Sequence, residues 1–82
     1  MRKVISVKAN QDYTLEIEFD NGEKRIFDVS PFLDKGIFKE LKNLTYFKRV
    51  RVTFGAVEWP NGQDFSPDTL YLLSKEKEAV EG

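Results

Sequence analysis

Polar and apolar residues alternate along three segments in the first third of the chain. A period of two is typical of strands that bury one face. The pattern predicts strands over residues 3–9, 13–19 and 24–29. The side chains expected to face inward from the first two are Ile5, Val7, Ala9, Leu15, Ile17 and Phe19.

The Asn21-Gly22 pair predicts a tight hairpin between the second and third strands, because both residues tolerate a positive φ. Two registers are open. A two-residue loop pairs Ile17 with Ile26, whereas a three-residue loop ending at Glu23 pairs Ile17 with Phe27. The second register matches apolar partners better, so we favour it.

Two Ser-Pro pairs predict helix starts, with serine as the N-cap and proline in the first turn. Ser30-Pro31 starts a short turn that ends near Gly36, and Ser66-Pro67 starts a last helix. Between them, helical spacing predicts a second short helix. Its apolar positions are Ile37, Phe38, Leu41 and Leu44.

Alternation returns over residues 48–54 and 56–59, and Gly55 is the turn between these strands. We expect Val50, Val52 and Phe54 to share one face, and Val57 and Trp59 another. The whole pattern predicts one α+β domain over residues 1–82, with a mainly antiparallel sheet of about five strands and short helices on one face. The expected order is βββ-α-ββ-α, and residues 74–82 are expected to fray.

Composition excludes several kinds of site. The chain has neither cysteine nor histidine, so it lacks thiolate ligands, disulfides and the usual general base near neutral pH. We therefore expect no metal site and no cofactor. Asp64 and Asp68 are the pair that an acid–base or magnesium site would use, but Asp68 falls where a helix favours a carboxylate. We expect no enzymatic activity.

The formal net charge is only -1, but charge is unevenly distributed. Residues 35–51 carry six basic residues against the single acid Glu40. Lys42, Lys48, Arg49 and Arg51 lie near the aromatic residues Tyr46 and Phe47. Cations beside aromatic rings are typical of surfaces that hold phosphates and stack bases. Weak nucleic-acid binding by this region is one hypothesis, and charge balance within the fold is the alternative.

The segment from Trp59 to Tyr71 is the most distinctive in the chain, because it holds the only tryptophan and two of the three prolines. It has two interpretations. Trp59, Asn61, Asp64 and Tyr71 form a shallow binding site, or the segment is structural. In the second interpretation the indole fills the core, Asn61-Gly62 forms a turn, and Asp64 accepts backbone hydrogen bonds.

Four motifs together resemble the domain of unknown function 2442 family of small bacterial proteins. They are an N-terminal Val-x-x-Val strand, the Leu-x-Ile-x-Phe-Asp-Asn-Gly hairpin, the Gly-Ile-Phe-x-x-Leu helix and the segment from Trp59 to Tyr71. The likeness covers residues 3–73. This resemblance implies no particular activity, because the family has no established one. Because similar proteins are often encoded beside a second small protein, it implies a two-gene module resembling toxin–antitoxin pairs.

These observations predict a non-catalytic, partner-binding or regulatory protein of the cytoplasm, resembling the antitoxin-like half of such a module. The expected partner is a small protein encoded nearby or a second copy of the chain. No apolar run approaches a membrane span of roughly 20 residues, so no membrane partner is expected. The candidate interaction residues are Lys42, Lys48, Arg49, Arg51, Trp59, Asn61, Asp64 and Tyr71.

Overall fold

Seven short strands and two short helices make up the architecture of residues 2–77, which are the residues that the computed structural model describes. Two 3₁₀ segments, Ser30–Phe32 and Gly36–Lys42, connect the third strand to the first helix. The helices are α1 (Leu44–Phe47) and α2 (Pro67–Leu73). The strands are β1 (Val4–Ala9), β2 (Thr14–Phe19), β3 (Lys24–Asp28), β4 (Arg51–Thr53), β5 (Ala56–Glu58), β6 (Asp64–Phe65) and β7 (Lys75–Glu76).

The strands form two antiparallel sheets, one of four strands in the order β1-β2-β3-β7 and one of three in the order β4-β5-β6. The α+β class is therefore confirmed. The predicted antiparallel pairing and short helices are confirmed as well, but the strands form two sheets instead of one, and their number and order differ from the expected five in the order βββ-α-ββ-α. Two strands of only two residues, β6 and β7, were not predicted, because segments this short carry no readable alternation.

The first strand changes face near its start. Val4 pairs with Phe19 and Ser6 with Glu18, so a β-bulge interrupts the register between them. Such a bulge adds one residue to one strand and shifts the alternation by one. Val4 is consequently buried and Ile5 is exposed, which corrects the prediction that Ile5 faces the core.

Neither of the two hairpin registers considered for β2 and β3 is correct. The loop consists of residues 20–22: the Gly22 N–H donates to the Phe19 carbonyl, and the Phe19 N–H donates to the Glu23 carbonyl. Gly22 takes the left-handed position with a φ of 88°. Ile17 therefore pairs with Arg25. The favoured register is wrong by two residues. A shift of two keeps the same side chains facing inward but gives each of them a different partner on the neighbouring strand.

The helix starts follow the predictions in part. Ser66 is the N-cap of α2, since its side chain accepts a hydrogen bond from the Thr69 N–H over 3.2 Å. Ser30 caps nothing; the Asp28 side chain instead accepts from the Ser30 N–H over 3.0 Å, and only a 3₁₀ turn follows. The helix expected over residues 37–44 divides into a 3₁₀ segment and α1, because Asn43 has an extended backbone.

The chain beyond Ser74 returns to the larger sheet. Lys75 pairs with Ile26, and the Lys77 N–H donates to the Lys24 carbonyl over 2.9 Å. Fraying was expected from residue 74 onward, but residues 75–77 are paired. The rest of that prediction, residues 78–82, lies outside the described residues.

Aromatic side chains from both sheets meet in one core. Phe27 of the larger sheet lies edge-on against Phe65 of the smaller one, with ring centroids 4.9 Å apart. Trp59 packs between Phe47 and Phe65, and Leu41 and Leu70 close the cluster from the helical segments. The two sheets also meet through the backbone, since the Val4 N–H donates to the Gly55 carbonyl over 2.8 Å.

Candidate interaction surface

Trp59 is a core residue. Its side chain is 0% exposed, and its indole Nε1 donates a hydrogen bond to the Phe47 carbonyl over 2.8 Å. A buried indole normally finds a partner for its N–H, and here the partner is the backbone of α1. For Trp59 the structural interpretation holds, and its ring offers no surface to a ligand.

The turn after Trp59 is held by a polar network. The Tyr46 hydroxyl donates to Gln63 Oε1 over 2.7 Å and accepts from the Asn61 N–H over 2.8 Å. The Gln63 amide nitrogen donates to the Ile37 carbonyl and to Glu40. Gln63 is only 1% exposed, and its polar atoms are satisfied within the chain. The Asn61 turn is thus fixed against the segment from Gly36 to Phe47.

The exposed carboxylate of Glu40 accepts the outermost hydrogen bonds of this network. The Asn61 amide nitrogen donates to both of its carboxylate oxygens, over 2.9 and 2.7 Å. These hydrogen bonds, followed by the one from Gln63, lower the pKa of Glu40 below its ordinary value of 4.5. Sequence reasoning missed Tyr46, Gln63 and Glu40 as partners of this turn. A glutamine between a glycine and a strand gives no burial signal of its own.

Tyr71 belongs to a different cluster. Its hydroxyl donates to Glu23 over 3.2 Å, and its ring packs edge-on against Phe19. The guanidinium carbons of Arg2 and Arg25 lie 3.7 and 4.3 Å from the ring centroid. Arg25 lies on the same face of β3 as the buried Phe27, and its guanidinium therefore reaches the Tyr71 ring. The hydrogen bond from Asn21, before those from Tyr71 and Arg25, lowers the pKa of Glu23.

The structure does not gather the predicted basic site into one aromatic-lined groove. The Lys42 ammonium lies 2.6 Å from Asp34, and Arg51 lies 3.7 Å from Glu58. Lys48 and Arg49 are exposed just after α1. Tyr46 and Phe47, the rings that would stack on bases, are buried and engaged in the core.

Phe54 is the side chain whose position differs most from its prediction. Expected to share a face with Val50 and Val52, which are half-buried, it is instead fully exposed, with a relative exposure of 101%. It forms the tip of the β4–β5 hairpin with Gly55, and both residues have positive φ angles, of 48° and 79°. That combination matches the type I′ turn, in which asparagine or glycine normally takes the first position.

Tyr13 is a second non-glycine residue with a positive φ, but its side chain is engaged. Tyr13 has a φ of 66°, but its ring packs edge-on against Phe47 at 5.2 Å and its hydroxyl donates to the Lys42 carbonyl. Packing and hydrogen bonding therefore offset the cost of its conformation. Phe54 has the same backbone cost, and its side chain buries nothing within the described chain.

The hairpin tip borders a shallow depression of about 400 Å³ on the outer face of the smaller sheet. Glu58 and Asp64 face one another across β5 and β6 along one side of it. Asp64, expected to accept hydrogen bonds in a loop, instead lies exposed in β6 on this face. The residues lining the depression are Thr53, Phe54, Ala56, Glu58 and Asp64.

The turn that carries Phe54 packs against Lys3 and Val4, at the start of β1. A Cβ built on Gly55 would lie 3.1 Å from the Cβ of Lys3, so a larger residue would have to push that side chain aside and would also be strained by the positive φ. The hydrogen bond from Val4 to the Gly55 carbonyl fixes the same point. Phe54 is therefore an exposed ring on an anchored turn.

No group of three or more acidic side chains within residues 2–77 is arranged to hold a metal ion. Over the same residues, no helix has the length and apolar character needed to cross a membrane.

The model of a family described as protein of unknown function (DUF2442) matches residues 4–76. The chain, with its two antiparallel sheets and short helices, belongs to this family. Comparison with curated proteins and with solved structures gave no match.

Proposed function

We propose that this protein is a non-catalytic module that binds a partner protein through the surface around Phe54. The observation that carries the proposal is an aromatic side chain that is fully exposed at a left-handed backbone position. Folding gains nothing from either property, since the ring is not buried and the conformation is unfavourable for a bulky residue. A role in binding accounts for both.

An exposed ring on a rigid turn suits an interface anchor. Aromatic residues are enriched among the few side chains that supply most of the binding energy at protein interfaces. Because Gly55 packs against Lys3, the turn loses little freedom when a partner binds, which lowers the entropic cost of association. The neighbouring depression supplies a surface against which a partner side chain can pack.

The resemblance to proteins encoded in pairs supports a particular partner. On this proposal the protein acts in the cytoplasm as the antitoxin-like member of a two-gene module. The product of the neighbouring gene then binds the Phe54 surface. The proposal is independent of Trp59 and Gln63, whose contacts are internal.

The experiment is co-expression with the product of the adjacent reading frame, followed by calorimetric titration of the purified proteins. Phe54→Asn should weaken binding by about 30-fold or more, as expected for loss of a central anchor. Asparagine suits the left-handed position, so the variant keeps the turn.

Leu72→Gln is the matched control, because Leu72 is also an exposed apolar residue, 77% exposed, but lies on α2. It should bind like the wild type. Equal affinities of Phe54→Asn and wild type would contradict the proposal.

A further inference from the structure

The outer face of the smaller sheet carries an unusual row of charges. Arg51 pairs with Glu58, and Glu58 pairs with Asp64, so two carboxylates are direct cross-strand neighbours. Like charges in such positions destabilise a sheet. Arg51 lies 3.7 Å from Glu58, and among residues 2–77 no cation lies within ion-pair distance of Asp64. The row therefore keeps a net negative charge beside Phe54.

Building on the proposed function, we infer that the partner presents a basic segment, and that one of its lysine or arginine side chains occupies the depression between Phe54 and Asp64. Such a side chain has two parts that match the two parts of this surface. Its aliphatic stem or guanidinium plane packs on the aromatic ring, and its charged end reaches the carboxylate.

Other partner chemistries fit the surface less well. An entirely apolar segment would cover the carboxylates without replacing their hydration, which costs free energy. An acidic segment or a nucleic-acid backbone would meet the uncompensated charge of Asp64. A basic segment relieves the repulsion between Glu58 and Asp64 and covers Phe54 in the same contact.

A random dodecapeptide display library provides a probe of this chemistry. It is selected on immobilised wild-type protein after removal of peptides that bind Phe54→Asn. We expect the remaining peptides to be enriched in arginine or lysine beside an apolar residue. Enrichment of acidic or purely apolar peptides, or no enrichment over the starting library, would overturn the inference.

The strongest selected peptide is then synthesised with arginine and with its neutral analogue citrulline. Citrulline replacement should weaken binding about 3-fold or more, as expected for loss of an exposed cation–π contact together with an ion pair. Asp64→Asn removes only the ion pair, so it should weaken the arginine peptide by less than citrulline replacement does and leave the citrulline peptide unchanged. An equal loss for both peptides, or no loss for either, would contradict a direct charge contact.

The same variants separate this inference from the proposal on which it rests. If the adjacent gene product loses affinity with Phe54→Asn but not with Asp64→Asn, and its binding does not respond to salt, partner binding stands and the basic partner is wrong. If sedimentation shows a wild-type dimer that Phe54→Asn converts to a monomer, the occupant is a second copy of this chain and the inference is again wrong.

Discussion

The hydroxyl of Tyr46 donates a hydrogen bond to the side-chain oxygen of Gln63 over 2.7 Å, and both residues are buried. This contact joins α1 to the turn between β5 and β6. Gln63 also donates to the Ile37 carbonyl, so one side chain holds two segments that are distant in sequence. These internal hydrogen bonds therefore hold the turn after Trp59 against α1 and the preceding 3₁₀ segment.

Replacing Gln63 by leucine should destabilise the protein. The buried Tyr46 O–H would lose its acceptor, and a buried polar group left unsatisfied costs about 1–3 kcal/mol; the Ile37 carbonyl would lose a donor as well. Urea denaturation gives the free energy of unfolding. In the double variant with Tyr46→Phe, the loss should be smaller than the sum of the single losses, because the two side chains share one hydrogen bond. Additive losses would show that the bond is energetically unimportant.

Trp59→Ala should lower the free energy of unfolding by about 3–5 kcal/mol, because it removes a fully buried ring and leaves a cavity. Far-ultraviolet circular dichroism follows unfolding in both proteins, since the variant lacks the only tryptophan. A variant with wild-type stability and impaired partner binding would instead identify Trp59 as an exposed anchor.

Acidification should destabilise the protein partly through Glu40. Hydrogen bonds from Asn61 and then Gln63 lower its pKa in the folded state below 4.5. A lowered pKa contributes stability above the unfolded-state value, and this contribution is lost as pH falls through the folded-state value. Denaturation at a series of pH values below about 5 should show the loss.

Two variants test the origin of that pH dependence. Glu40→Gln removes the titrating group, and Asn61→Ala removes the main hydrogen-bond donor. Both should make the dependence on pH shallower than in the wild type. A slope unchanged in both variants would mean that other carboxylates account for the acid sensitivity.

We expect no binding of single-stranded or duplex oligonucleotides at physiological salt. This holds for the wild-type protein and for a triple variant that combines Lys48→Gln, Arg49→Gln and Arg51→Gln. The rings next to this region are buried, and two of its cations lie beside carboxylates. Fluorescence anisotropy measures the binding. Micromolar, salt-sensitive binding by the wild type, abolished in the triple variant, would favour the nucleic-acid hypothesis, because phosphate contacts give a steep salt dependence.

The sequence predicts the fold where one signal dominates. Alternation identifies the inward faces of β2 and β5, and the Ser66-Pro67 cap gives the start of α2. The register of β2 and β3 could not be derived, because Gly22 fits several loops and a shift of two residues keeps the same faces inward. The bulge at Ile5 is likewise invisible to a simple count of alternation.

The candidate surface was predictable only in part. Asp64 was singled out, but as a member of a group whose other members have internal contacts. The alternation of Val50 and Val52 predicts that Phe54 shares their face. The strand β4 ends one residue earlier, at Thr53, which places Phe54 in the turn. Apolar alternation cannot distinguish the last residue of a strand from the first residue of a turn.

Phe54→Asn provides the most direct test of the central claim, which is that Phe54 serves binding rather than folding. Its free energy of unfolding and its affinity for the adjacent gene product are measured on the same preparation. We predict a free energy of unfolding equal to that of the wild type or up to about 1 kcal/mol higher, because asparagine relieves a left-handed strain, together with a loss of affinity of about 30-fold or more. A variant that is less stable by more than about 1 kcal/mol and binds the partner as the wild type does would contradict the account.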